Sequence, residues 1–156
     1  MVATVNLSSS VLFHDVAEVE RLVSDFETAS ISPADWKHRD HVAVATWYLL
    51  TRPGEAAAVE AMSESLKRFV LLHGIKPSPG RGYHETLTVF WMKAINRYLE
   101  ATNLDCSLID LLNGVVERFA DKGLSLEYYS RALLDAPEAR SGFIEPDLKS
   151  LDDGGV

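Results

Sequence analysis

Two histidines three residues apart, His38 and His41, open an otherwise apolar stretch, DWKHRDHVAVATWYLL at residues 35–50. On a helix, residues with this spacing bring their Cβ atoms within ~5–6 Å of each other. Two imidazoles at that distance can bind the same metal ion, and zinc and iron both accept imidazole nitrogen. Both histidines lie on the stripe that continues through Val42 and Ala45, so we expect them to face the protein interior.

A third histidine lies in GRGYHETLTVFW, residues 80–91, directly after a loop rich in proline and glycine. His84 borders the apolar stripe of the following helix, so we predict that it joins His38 and His41 in a site for a divalent zinc or iron ion. Glu85 lies about 100° round the helix from His84, which favours a different role. We expect it to be a catalytic base, a fourth ligand or a group that orients an imidazole.

The same residues allow other interpretations, because H-x-x-H with a distant H-E is a weaker pattern than H-E-x-x-H. They could form a metal-free pocket for acid–base chemistry or ligand binding. They could also form a structural hydrogen-bond network, since buried polar groups need partners. The predicted pocket for a small organic molecule is lined by Tyr48, Arg81, Tyr83, Thr88 and Trp91. Aromatic residues at helical spacing are nevertheless also typical of a core.

Apolar residues recurring every three or four positions predict the elements that carry these side chains. We expect helices at 14–29, 32–50, 55–73 and 83–101, and a fifth that begins at 105 or 107. Ser32, Pro33 and Asp35 give the second helix a capping-box-like start. The prediction is an all-α, single-domain bundle of about five helices with an irregular C-terminal cap. The domain spans 1–149, with a loose leader at 1–12 and a disordered tail at 150–156.

The composition of the chain limits the classes of binding partner and the cellular location that we expect. The 156-residue chain carries 23 acidic and 15 basic residues, a net charge of −8, which argues against binding nucleic acid or an anionic membrane. No apolar run approaches the length of a membrane span. Cys106 is the only cysteine, which suits a reducing compartment, so we predict a cytoplasmic location. A small-molecule ligand and a homo-oligomer are both compatible with this composition.

Three motifs, WKHRDH at 36–41, GYHET at 82–86 and YYS with ARSGFIEPDL at 139–148, resemble a small, uncharacterised bacterial family of helical proteins. The resemblance covers about 30–149 and implies one helical domain, but no activity. We therefore expect a metal-binding helical protein, and a metal-dependent enzyme acting on a small organic molecule is compatible with the same residues. The alternatives are a ligand-binding or protein-interaction module and a metal-free His/Glu acid–base enzyme.

Overall fold

A computed structural model describes residues 12–153. The fold is all-α, as predicted, with five helices of eleven or more residues and shorter ones near the C-terminus. The helices are α1 Val16–Glu27, α2 His38–Thr51, α3 Glu55–Leu72, α4 Glu85–Ala101, α5 Leu108–Arg118, α6 Ser125–Tyr128, α7 Arg131–Asp135 and α8 Pro137–Ser141. No helix in this region has the length and apolar character needed to cross a membrane.

The start of α2 differs from the prediction. Ser32 and Asp35 do bond to each other, Ser32 Oγ donating to Asp35 Oδ2 at 2.8 Å, but they close only a single turn. Lys37 is then extended, and its backbone N–H donates to the Asp40 carboxylate at 2.9 Å. Asp40 thus caps the helix, and α2 begins at His38, six residues later than expected.

Helix α2 is the central element of the bundle and packs against α1, α3, α4 and α5. Its residues 42–46 are all buried. A helix that is apolar on every side belongs inside a protein rather than at its surface. The prediction could not establish that α2 and α4 are neighbours, and the structure shows that they are.

The C-terminal residues form the predicted cap and are fastened to the bundle by polar contacts. Thr86, in the first turn of α4, donates to the Gly142 carbonyl at 2.9 Å and accepts from the Ile144 N–H at 3.1 Å. The Tyr129 hydroxyl donates to the Ile144 carbonyl at 2.7 Å. These bonds hold the cap against the N-terminal end of α4, next to its N-cap residue His84.

The ends of the described region are anchored. Asn113 on α5 forms two 2.9 Å hydrogen bonds with the backbone of Phe13, the residue directly after the predicted leader. Residues 1–11 of that leader lie outside the described residues. Leu151 is 7% exposed and packs in the core, and Arg97 donates to its carbonyl at 2.7 Å. Within the predicted tail, Leu151 and Asp152 thus contact the bundle, while residues 154–156 lie outside the described residues.

Candidate functional site

A large cavity of about 1120 Å³ lies between α2, α3 and α4. Binding sites for drug-sized molecules have volumes of roughly 300–1,000 Å³, so the space is ample for an organic ligand. Its wall is mainly apolar. The lining side chains from the three helices are His38, His41, Val42, Ala45, Met62, Leu66, Phe69, Val70, Leu87, Thr88, Trp91, Met92 and Ile95.

Loops complete the wall at the ends of these helices. They contribute residues from the turn before α2, from the proline- and glycine-rich segment before α4 and from the connection after α5. These lining residues are Ser32, Pro33, Ala34, Trp36, Lys37, Ile75, Gly80, Arg81, Gly82, Tyr83, His84 and Lys122. All three histidines singled out from the sequence thus border one cavity, together with Arg81, Tyr83, Thr88 and Trp91.

His41 is held by Trp36. The indole Nε1–H of Trp36 donates to His41 Nε2, and the indole ring stacks on Phe26 with 4.3 Å between ring centroids. Because Nε2 accepts, the neutral ring carries its proton on Nδ1. Burial, and secondarily the neighbouring His38, lowers the pKa of His41 to about 3. His41 is therefore an uncharged group of the cavity wall at neutral pH.

His38 bridges the cavity to α5. Its Nε2 lies 2.7 Å from the carbonyl oxygen of Phe119, so Nε2–H is the donor. The ring also meets Trp91 edge to face, with 5.0 Å between ring centroids. In the neutral ring, the lone pair is then on Nδ1.

His84 is the N-cap residue of α4. Its Nδ1 accepts the backbone N–H of Leu87 at 3.3 Å, and its Nε2–H donates to the carbonyl of Leu134 at 2.9 Å. The imidazole thus acts as the N-cap acceptor, a role that a Ser or Asp side chain usually has at the start of a helix. The ring also ties α4 to α7.

These bonds decide how well the three rings suit a metal ion. A ligand nitrogen must offer its lone pair to the ion, yet the lone pairs of His41 and His84 already accept N–H groups. Of the three rings, only His38 keeps an uncommitted lone pair. In agreement, no group of three or more His, Cys, Asp or Glu in the described part of the chain could hold a metal ion.

Glu85 does not line the large cavity. Its carboxylate accepts from the hydroxyl of Tyr83 and lies 3.4 Å from the hydroxyl of Ser63, which is itself 2.7 Å from the Tyr83 oxygen. Ser63 and Glu85 border a separate hollow of about 440 Å³, which is lined by α3 and α4. Burial, together with donation to Glu85, raises the pKa of Tyr83 to about 12. Glu85 thus orients Tyr83, whose ring forms part of the cavity wall.

Tyr48, which was also predicted to line the pocket, lies in the core instead. Its side chain is buried, and its hydroxyl donates to Glu27 at 2.8 Å and lies 3.0 Å from Ser65 Oγ. Burial raises its pKa to about 12. The hydroxyl joins α1, α2 and α3 rather than facing a ligand.

Arg81 lies on a tight turn that is fixed from both sides. The backbone groups of Ser78 and Arg81 bond reciprocally at 3.2 and 2.9 Å, and Gly80 at the bend has a φ of 72°. Arg140 on α8 donates to the carbonyls of Arg81 and Ser78 at 2.8 and 2.6 Å. Gly82 is required here, because its φ is 96° and a Cβ would lie 3.1 Å from the Pro77 Cα.

The contribution of α3 to the cavity wall was not predicted from the sequence. Met62, Leu66, Phe69 and Val70 share one helix face, a pattern that indicates core packing equally well. Lys37 and Lys122 were also missed. Neither belongs to a recognisable motif, and Lys122 reaches the site only through the packing of the chain after α5.

The chain matches no protein-family model, no curated protein and no solved structure.

Proposed function

We propose that this protein binds a predominantly apolar small molecule in the cavity between α2, α3 and α4. The supporting observation is the cavity itself, whose wall combines aliphatic side chains with the rings of Trp36, Tyr83 and Trp91. A small number of convergent polar groups in an apolar wall is typical of ligand sites. Burial of apolar ligand surface would provide most of the binding free energy, at about 25 cal/mol per Å².

The histidines would act as fixed wall groups in this proposal. The fold already fixes both rings: the Trp36 indole donates to His41 Nε2, and His84 bonds to the backbone of Leu87 and Leu134. Groups held in place before binding lose little conformational freedom when a ligand arrives. His38 Nδ1 would be the imidazole atom best suited to accept a hydrogen bond from the ligand.

The experiment is a titration with Nile red, a neutral dye whose fluorescence rises in apolar surroundings. Leu87 lines the cavity and is only half-buried, so Leu87→Trp should fill the cavity without opening the core. The matched control is Leu71→Trp, because Leu71 is 78% exposed and does not line the cavity. We expect one dye per chain for the native protein and the control, and strongly weakened binding for Leu87→Trp.

Equal binding by both tryptophan variants would show that the dye binds elsewhere, and no binding by the native protein would contradict the proposal outright. Circular dichroism of each variant establishes that its helices are intact. The two outcomes therefore report on the cavity and not on folding.

A metal-dependent form of the proposal has one observation in its favour, which is that His38, His41 and His84 border the same cavity. Zinc or iron binding would require Trp36 to release His41 and the α4 backbone to release His84. Elemental analysis of tag-free protein tests this, with His41→Gln as the variant. Near-stoichiometric metal that the variant loses would support the metal site, while metal-free protein after reloading would count against it.

An acid–base enzyme is the second alternative, and it also depends on His38. Its Nδ1 could take a proton from a bound substrate, a role that Glu85 cannot fill from outside the cavity wall. Turnover of a bound ligand that is lost in His38→Gln, with binding retained, would support catalysis. Unchanged turnover in that variant would exclude His38 as the base.

We also propose a cytoplasmic location, because Cys106 is an exposed free thiol of the kind that a reducing compartment preserves. Fractionation of cells of the source organism tests this directly. Recovery outside the cytoplasm, with Cys106 oxidised, would contradict it.

A further inference from the structure

The charged groups around the cavity are all of one sign. Its wall includes Lys37, Arg81 and Lys122 but no aspartate or glutamate. The whole chain carries 23 acidic residues against 15 basic ones, so a cavity without a carboxylate departs from the overall charge balance. All three cationic residues are exposed, which puts them where the cavity meets solvent.

Among residues 12–153, none of these three cations forms an ion pair with a carboxylate. The four ion pairs involve other residues, namely Arg39–Asp40, Arg52–Glu27, Lys93–Glu55 and Arg97–Asp152. Lys37 does donate to the Ala34 carbonyl at 2.6 Å, but an ammonium group has two further N–H donors. Arg81 and Lys122 thus have no ion-pair partner among the described residues, whereas Lys37 also interacts electrostatically with the nearby Asp40 carboxyl.

Two helix N-termini lie at the wall of the cavity. Lys37 and His38 begin α2, and His84 caps α4, and all three line the cavity. The N-terminal end of a helix carries a partial positive charge of roughly half an elementary charge. The α4 N-terminus thus adds positive potential at the cavity, whereas the Asp40 carboxylate that caps α2 offsets the positive end of that helix.

Arg81 is the best-positioned of the cations. Its backbone is fixed by the Ser78–Arg81 turn and by the two hydrogen bonds from Arg140. The Cα atom that carries the Arg81 side chain is therefore held in a defined position. A guanidinium presents its N–H donors in a planar fork that matches a carboxylate. The deep wall beyond it is apolar and aromatic.

On this basis we propose that the natural ligand is an amphipathic organic acid. Its apolar body lies between α2, α3 and α4, and its anionic group lies at the opening, bound by Arg81 with Lys37 and Lys122. The assignment depends on the proposed function, since it names the class of molecule that enters that cavity.

The test compares dodecanoate with dodecanol, which share an apolar chain and differ in the charged group. Each is titrated as a displacer of Nile red from the native protein at neutral pH. We expect dodecanoate to bind at least about tenfold more tightly, as for a ligand that gains charge-assisted hydrogen bonds. Arg81→Gln should remove most of this preference and leave the affinity for dodecanol unchanged.

Lys76→Gln is the matched control. Lys76 lies in the same loop and loses the same charge in this variant, but it does not line the cavity. It should retain the full preference for dodecanoate. A preference that falls equally in both variants would indicate general electrostatic attraction and overturn the assignment to Arg81.

The two proposals fail in different ways. Equal affinity for dodecanoate and dodecanol, or displacement by neither, overturns the organic acid while bound Nile red preserves the proposed function. Absence of Nile red binding to the native protein overturns the proposed function itself.

Discussion

The half-buried, neutral His41 should make the protein less stable as the solution becomes acidic. In the unfolded chain this imidazole binds a proton near its ordinary pKa of 6.5, whereas in the folded protein its pKa is lowered to about 3. Between these two values the unfolded state binds more protons. The free energy of unfolding must therefore decrease as the pH falls through this window.

The size of the effect follows from the difference between the two pKa values. One pKa unit corresponds to about 1.4 kcal/mol, so acidification from about pH 7 to about pH 5 should cost about 2 kcal/mol through His41 alone. This is a large share of the ~5–15 kcal/mol that stabilises a typical domain. The loss should continue until the pH approaches the folded-state value.

The assay is urea denaturation at a series of pH values, with native protein and His41→Gln compared. Glutamine keeps an oxygen that can accept the Trp36 N–H but has no proton to bind in this range. We expect the stability of the variant to depend less on pH by about 2 kcal/mol over the same interval. His14→Gln, at an exposed position, is the control and should behave like the native protein.

Parallel pH profiles of stability for native protein and His41→Gln would contradict this prediction. They would mean that the folded state accommodates a protonated His41, and that the wall of the cavity is not fixed by the Trp36 hydrogen bond.

Two further predictions concern elements at the edge of the site. Arg140→Ala should release the turn that carries Arg81 and lower dodecanoate affinity several-fold. Stability should fall by about 2 kcal/mol, because two hydrogen bonds worth about 1 kcal/mol each are lost. Displacement titration and urea denaturation measure the two effects. Retained affinity would show that the turn stays in place without Arg140. Leu151→Ala should destabilise the fold by about 2 kcal/mol because Leu151 is buried, whereas Leu148→Ala, at a residue that is 59% exposed, should change the denaturation midpoint very little. Equal midpoints for the two variants would contradict the anchored C-terminus.

Helical periodicity predicted most of the fold. The predicted helices at 55–73 and 83–101 correspond to Glu55–Leu72 and Glu85–Ala101, because long apolar stripes specify a helix without reference to its neighbours. The start of α2 could not be predicted in this way. Two capping patterns compete there, and the packing of Trp36 on Phe26 accompanies the later one.

The site was predictable in part. Histidines on the inward stripe of two helices indicated a polar feature between those helices, and His38, His41 and His84 do border one cavity. Their hydrogen-bond partners could not be read from the sequence, since Phe119 and Leu134 lie 81 and 50 residues away from the rings they contact. The position of Glu85 outside the cavity could not be predicted for a related reason. Its partner Ser63 is on α3, and helical spacing on α4 says nothing about that neighbour.

The most direct test of the binding cavity uses the three tryptophans as internal reporters. Trp36 and Trp91 line the cavity, whereas Trp47 on α2 does not, so their indole N–H signals can be compared within one NMR spectrum. On addition of Nile red, we expect the signals of Trp36 and Trp91 to shift in proportion to occupancy and the signal of Trp47 to stay in place. Movement of the Trp47 signal alone, or unmoved Trp36 and Trp91 signals at full dye binding, would contradict a ligand site between α2, α3 and α4.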